Sequence, residues 1–286
     1  MYAPLIDPSS TLLVTGFWRS GTTWLQQVLS RALEAKTVFE PFYRGLNTYQ
    51  EAIRHSSDLP SYDENYIDLH MPYCSSLEGL AAVPLLLRHI IRSLTSSLPG
   101  LHVRNARYGR RSSERAKPVS RFHNLLDRIA DAQRRRIVLK MVRAHFILHL
   151  IQEEFNLTVV HIRRDPRSVC ASMKREGWWS HWAGTLSLEE QLILPNDGRA
   201  DFVGKWEKAL RKFETQSLAA RWAAYWCVTQ HFVDTIHSST QHVLIRYERM
   251  VDEGASYLER EFSGKVEATI LDKHLTGASA TTSKQR

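Results

Sequence analysis

The chain has 286 residues, 43% of them hydrophobic and 24% charged, which is enough apolar material for the core of an α/β domain and excludes a disordered body. Its net charge of +8 favours anionic partners, yet no zinc-finger, helix-turn-helix or RNP-type pattern accompanies it, which argues against nucleic acid. Cys74, Cys170 and Cys227 are widely spaced and form no CxxC, so neither a disulfide scaffold nor a cysteine metal site is expected.

The 13 histidines show no metal-ligand spacing. The N-terminus lacks a basic leader and a long apolar core, so no signal peptide is expected. The most apolar run, Leu80–Ile91, is broken by Pro84, Arg88 and His89 and is too short to span a bilayer. The expectation is a soluble, cytoplasmic protein.

Leu12, Leu13 and Val14 form a short continuous apolar run, as in a strand buried on both faces. Gly16 and Gly21 bracket a tight turn, after which Leu25, Val28, Leu29, Ala32 and Leu33 recur at helical spacing. Strand, glycine turn and helix together aim backbone N–H groups and a helix dipole at an anion. Gly16-x4-Gly21-Thr22-Thr23 has the spacing of a phosphate-binding P-loop, but Thr22 stands where nucleotidases carry lysine. The cation comes earlier, as Arg19, and no hydrophobic strand ending in Asp completes a magnesium site. Such a loop suits a phosphoanhydride-like group without a triphosphate or its metal. The plain alternative is a glycine turn in any α/β protein.

Thr37–Phe42 reads as a second strand ending at Pro41, which fixes an extended exit at Glu40. At the carboxyl end of a parallel strand Glu40 faces the ligand crevice; on position alone it reads equally as a solvated strand-end carboxylate. Residues 43–76 read as irregular loops over a substrate cleft, and Leu77–Ser97 as a helix that Pro84 kinks or bounds. The basic stretch Arg104–Lys117 reads as a mobile surface loop, with an electrostatic collar for an anionic substrate as the sharper alternative.

Ile137–Val142 and Leu157–Ile162 are further buried-strand patterns, separated by a helix near Ala144–Phe155. Asp165-Pro166 opens a helix with Asp as N-cap and Pro at the first position, which leaves Arg164 at the strand end and Ser172 two turns into the helix. The aromatic run Gly177–Trp182 can stack on a base, wall a pocket, or simply pack. Residues 183–200 read as a loop with a turn at Pro195–Gly198, followed by helices near 201–213 and 216–237. In the second, Leu218, Trp222, Tyr225, Trp226, Thr229, Phe232 and Val233 take core-facing spacing. Gln241–Glu248 reads as the last strand, and Gly277–Arg286 is a small, polar, basic tail.

Arg-Ser-Gly-Thr-Thr-Trp (19–24) resembles the 5′-phosphosulfate loop of sulfotransferases that use 3′-phosphoadenosine 5′-phosphosulfate (PAPS). Arg164 and Ser172, eight residues apart, resemble the 3′-phosphate site of the same family. Glu40-Pro41 is similar to the Glu-Pro that carbohydrate-type and bacterial members carry after the first helix, where the Glu is taken as general base. The small-molecule members instead use a histidine in a Lys-x-His pair. Here that stretch is Lys140-Met141-Val142, so the histidine is absent; Lys140 keeps an electrostatic role and His145 is the reserve base. The Tyr247-Glu248 pair is taken as structural, and a basic C-terminal segment that covers the 3′-phosphate in relatives has only Lys284 or Arg286 to match it.

The resemblance implies an α/β three-layer sandwich around a central parallel sheet, built from strands near 12–15, 37–40, 137–141, 157–162 and 242–247. It implies one domain over 1–286, with 41–135 as its acceptor-binding cap region. The implied reaction moves the sulfuryl group of PAPS to a hydroxyl or amine of a small-molecule or glycan acceptor, releases 3′,5′-ADP and needs no metal. Arg19, Ser20, Gly21, Thr22, Thr23, Trp24, Arg164 and Ser172 would hold the co-substrate, and Glu40, Arg19, Lys140 and His145 would carry the chemistry. Two other classes stay open: a P-loop small-molecule kinase, and a non-catalytic module for a nucleotide or polyanion. The acceptor and the oligomeric state are not legible.

Overall fold

The computed structural model describes residues 11–42, 69–81, 87, 90–91, 136–236 and 242–263. Within them, strands β1 (Leu12–Thr15), β2 (Lys36–Phe39), β3 (Ile137–Lys140), β4 (Thr158–Arg163) and β5 (His242–Arg246) form one sheet in the order β2-β3-β1-β4-β5. Every pairing is parallel. In register, Leu13 lies opposite Leu139 on one side and Val159 on the other, and Thr15 opposite His161. The helices are α1 (Thr22–Ala32), α2 (Leu77–Ala81), α3 (Leu148–Phe155), α4 (Pro166–Arg175), α5 (Ala200–Val203), α6 (Glu207–Glu214), α7 (Leu218–Ile236), α8 (Tyr247–Glu253) and α9 (Ala255–Phe262).

Period-2 alternation sorts the strands into two apolar layers. Leu13, Leu139 and Val159 pack with Ile147, Leu148 and Ile151 on the α3 side. Leu12, Val14, Val138, Val160, Val243 and Ile245 pack with Leu25 and Leu29 of α1 and with Tyr257, Leu258 and Phe262 of α9. A third cluster joins Phe17 and Trp18 to Trp222, Tyr225 and Phe232 of α7, so those helix aromatics are core, as their spacing predicts. The result is the expected three-layer α/β sandwich with a parallel centre.

Because β1 is central and its successors lie on both sides, the chain reverses direction across the sheet at β1, where an open α/β sheet forms its ligand crevice. Three hydrogen bonds lock this end. Gln26 Nε2 donates to the carbonyls of Val38 (2.8 Å) and Val138 (2.9 Å), tying α1 to β2 and β3, and Thr15 Oγ1 donates to the Met141 carbonyl (2.8 Å).

Several elements differ from their sequence reading. Glu40 is not extended but has φ +44°, because its N–H bonds the Lys140 carbonyl (2.9 Å) while its carboxylate folds back on Val142 N. The last strand stops at Arg246, and Tyr247 and Glu248 open α8. Residues 183–200 are not all loop: Glu189–Ile193 forms a π-helical turn, and Arg199, nearly fully buried, ties the Gln191 carbonyl to that of Met71. Of the helix expected over Leu77–Ser97, Leu77–Ala81 and the helical Leu87, Ile90 and Ile91 are described. The basic segment 104–117, the tail from 277 and most of 41–135 lie outside the described residues. Among those described, no helix is long and apolar enough to cross a membrane.

Candidate active site

A cleft of about 520 Å³ opens at the carboxyl ends of β1–β5. Its floor is the turn after β1. Gly16 is required there by close approach, since a Cβ would meet the Ile162 carbonyl oxygen at 2.4 Å. Gly21 is required twice over: its φ is +89°, and a Cβ would lie 2.8 Å from the Tyr247 ring. Gly21 also precedes the first turn of α1, whose N-terminus has no side-chain cap. The free N–H groups of that turn carry the positive end of the helix dipole. α4 starts at the same end of the sheet and is closed by Asp165, whose carboxylate accepts from Arg167 N (2.8 Å) and Ser168 N (3.4 Å), as expected of an N-cap followed by proline. So one of these two helix N-termini is sealed by its own sequence and the other is left open on the cleft.

On the β2–β3 side, Glu40 is cupped by the turn that follows β3. Val142 N donates to both carboxylate oxygens (3.1 and 3.3 Å), Lys140 Nζ lies 3.2 Å from Oε1, and Arg143 Nη1 lies 3.6 Å from Oε2. Lys140 Nζ also donates to Thr23 Oγ1 (3.0 Å) and sits 3.9 Å from the Phe39 ring centroid, so one cation bridges the carboxylate and the loop. Burial holds the Lys140 ammonium below the usual lysine range, with Glu40 opposing that shift.

On the α4 side, Arg19 has φ +63°, and its guanidinium is turned toward the helix. Nε donates to Ser172 Oγ (3.0 Å), Nη2 pairs with Glu176 (3.0 Å), and the group lies 5.0 Å from the Trp178 ring centroid. Arg164 donates from Nη1 to the Arg19 carbonyl (2.8 Å) and stacks 4.2 Å from the Tyr247 ring centroid. Glu248 fixes this corner by accepting from Asp165 N (3.0 Å). Burial lowers the Arg19 pKa; Glu176 opposes the shift, and the like charges of Arg164 and Arg175 add to it.

A model of the sulfotransferase domain family matches residues 9–284. The chain is a member of the sulfotransferase family. No curated protein and no solved structure matches it. The family's general chemistry is the transfer of a sulfuryl group, and the parallel sheet with its glycine turn belongs to the same P-loop-like architecture.

In this sulfotransferase the cleft gathers Arg19, Gly21, Thr22, Thr23, Trp24, Glu40, Lys140, Arg164 and Ser172 from the sequence-predicted set. It leaves two out. Ser20 is buried beneath the turn. His145 is fully buried in a 3₁₀ turn, 5.7 Å ring to ring from His161, and burial pushes its pKa down to about 4. Sequence reasoning missed Arg143, Arg175 and the cleft-lining role of Tyr247. Each had a signal: Arg143 follows a strand end by three residues, Arg175 lies one turn past Ser172, and Tyr247 directly follows β5. Glu40 is paired with Arg143 as well as Lys140, whereas Arg19 is drawn to Ser172 and Glu176.

Proposed function

We propose that the protein transfers the sulfuryl group of PAPS to the hydroxyl or amine of a small-molecule or glycan acceptor, releasing 3′,5′-ADP without a metal. One observation carries the reading: an uncapped helix start, four arginines, a lysine and a single buried carboxylate line one cleft. The residues suit such a donor. Arg164, which lines the cleft, has a buried Nε without a hydrogen-bond partner, and buried polar atoms of this kind are normally satisfied.

When bound, the donor supplies an activated sulfuryl group whose departure leaves negative charge on the 5′-phosphate. The open N–H groups of α1, with Thr22, Thr23 and Lys140, stabilise that charge as a preorganised oxyanion site does. Arg19 adds charge on release from Glu176. Arg164 and Ser172 hold the 3′-phosphate. Glu40 takes the acceptor's proton on Oε2, the oxygen with the longer cation contact, while Lys140 holds Oε1. The basis for metal independence is that Lys140 and the arginines lining the cleft supply positive charge of the kind magnesium gives in kinases.

Calorimetric titration with 3′,5′-ADP, 5′-AMP and ATP/Mg²⁺ tests the donor, and an acceptor screen with labelled PAPS tests the reaction. 3′,5′-ADP should bind best, EDTA should leave turnover unchanged, and Arg164→Ala should weaken 3′,5′-ADP by ~10–100-fold, more than 5′-AMP, because a charge-assisted bond is lost. Tighter binding of ATP/Mg²⁺ would replace this reading with the kinase one.

A further inference from the structure

Arg175, Glu176 and Ser172 share the last turn of α4, and the i+3 and i+4 spacing puts all three on one helix face. Ser172 and Arg175 both line the cleft, while Glu176 pairs with Arg19. Three guanidiniums, those of Arg19, Arg164 and Arg175, therefore meet at this end against the Glu176 carboxylate. Among the described residues Arg175 makes no side-chain hydrogen bond or ion pair, so its exposed charge is uncommitted. Like charges gathered in this way repel, and a phosphate monoester, which carries about −1.5 to −2 near neutral pH, would relieve that repulsion.

We infer that Arg175 is a second cation for the 3′-phosphate of the nucleotide, reaching it from one helical turn beyond Ser172 and setting the preference for nucleoside 3′,5′-bisphosphates over nucleoside 5′-phosphates. This rests on the donor reading above. Arg164 comes to the phosphate from the end of β4 and Arg175 from the end of α4, so the two grip it from different elements. Arg164 is fixed by its bond to the Arg19 carbonyl and by Tyr247. Arg175 is free to move, and its contribution is smaller and more sensitive to salt.

The test is calorimetric titration of the full chain, Arg175→Ala and Arg175→Lys with 3′,5′-ADP and with 5′-AMP, each at low and high salt. Arg175→Ala should lose ~10-fold in 3′,5′-ADP affinity and less than ~2-fold in 5′-AMP affinity, with a shallower salt dependence, as for one lost charge-assisted contact on an exposed group. Arg175→Lys should recover part of the loss, since a point charge still reaches the phosphate. Equal losses for the two ligands, or no loss for either, would overturn the inference while leaving the donor reading intact. If the unaltered protein shows no preference for 3′,5′-ADP over 5′-AMP, the donor reading itself falls and takes the inference with it.

Discussion

At the β2–β3 end of the cleft the charges are out of water and answer one another: the Lys140 and Glu40 side chains are 6% and 5% exposed. At the α4 end the pair Arg19–Glu176 is 29% and 45% exposed. A buried pair is held rigidly, and losing one partner costs about 3–5 kcal/mol. A half-exposed pair is worth about 0–1 kcal/mol and can exchange partners readily. The first end is therefore suited to keeping one carboxylate aimed, and the second to releasing a cation when a competing anion arrives. Under the proposed reaction, the first end would orient the acceptor and the second would take up and discharge the highly charged donor.

The two ends of the cleft should differ most at Glu40. Glu40→Gln keeps the shape and an acceptor oxygen for Val142 N but removes the proposed proton acceptor, so turnover should fall by ~10²–10⁴-fold. Affinity for 3′,5′-ADP should hold within ~3-fold, because the carboxylate lies at the other end. Steady-state rates with titration of the nucleotide measure both. A loss under ~10-fold would reduce Glu40 to a clasp between β2 and β3.

Arg19 sharpens the comparison from the other side. Arg19→Ala should cost ~10²–10³ in turnover, the scale of one lost oxyanion donor, with a native melting temperature because the side chain is not core. Glu176→Gln should act in the opposite sense and more weakly: releasing Arg19 should lower the donor KM by up to ~5-fold, as expected for an exposed ion pair. A Glu176→Gln enzyme with a raised donor KM would mean that the pair positions Arg19 instead of restraining it.

The sheet was legible because parallel strands covered on both faces are near-continuous apolar runs, and Leu12–Val14, Ile137–Leu139 and Val159–Val160 could be little else. The glycine turn and the Asp165-Pro166 cap were legible for a similar reason, since each rests on a backbone requirement that few residues meet. The left-handed backbone of Glu40 was not. Pro41 biases its predecessor toward extended geometry, and only the distant Lys140 carbonyl and Val142 N outweigh that bias. Arg143 escaped for the same reason, because its partner is 103 residues away in the chain. Local rules read local geometry, whereas the pairing of charges across strand ends is set by the sheet order.

The smallest expected effect on rate is at His145, which belongs to the buried side but not to the cleft. Burial holds its pKa at about 4 against an ordinary 6.5. Between those values the unfolded chain binds a proton that the folded chain refuses. Stability is therefore full above about pH 6.5 and falls as the pH drops toward 4, by on the order of 3 kcal/mol for this one group. His145→Gln removes that penalty, so the gap between melting temperatures at pH 7.5 and pH 5 should narrow. It should not vanish, because burial also pushes the pKa of His149 down to about 4. Turnover at pH 7.5 should stay within ~3-fold of the parent, since His145 lines no part of the cleft and cannot reach an acceptor there. A ~10²-fold loss of turnover in a variant that melts normally, with Glu40→Gln nearly unaffected, would move the proton acceptor from Glu40 to His145.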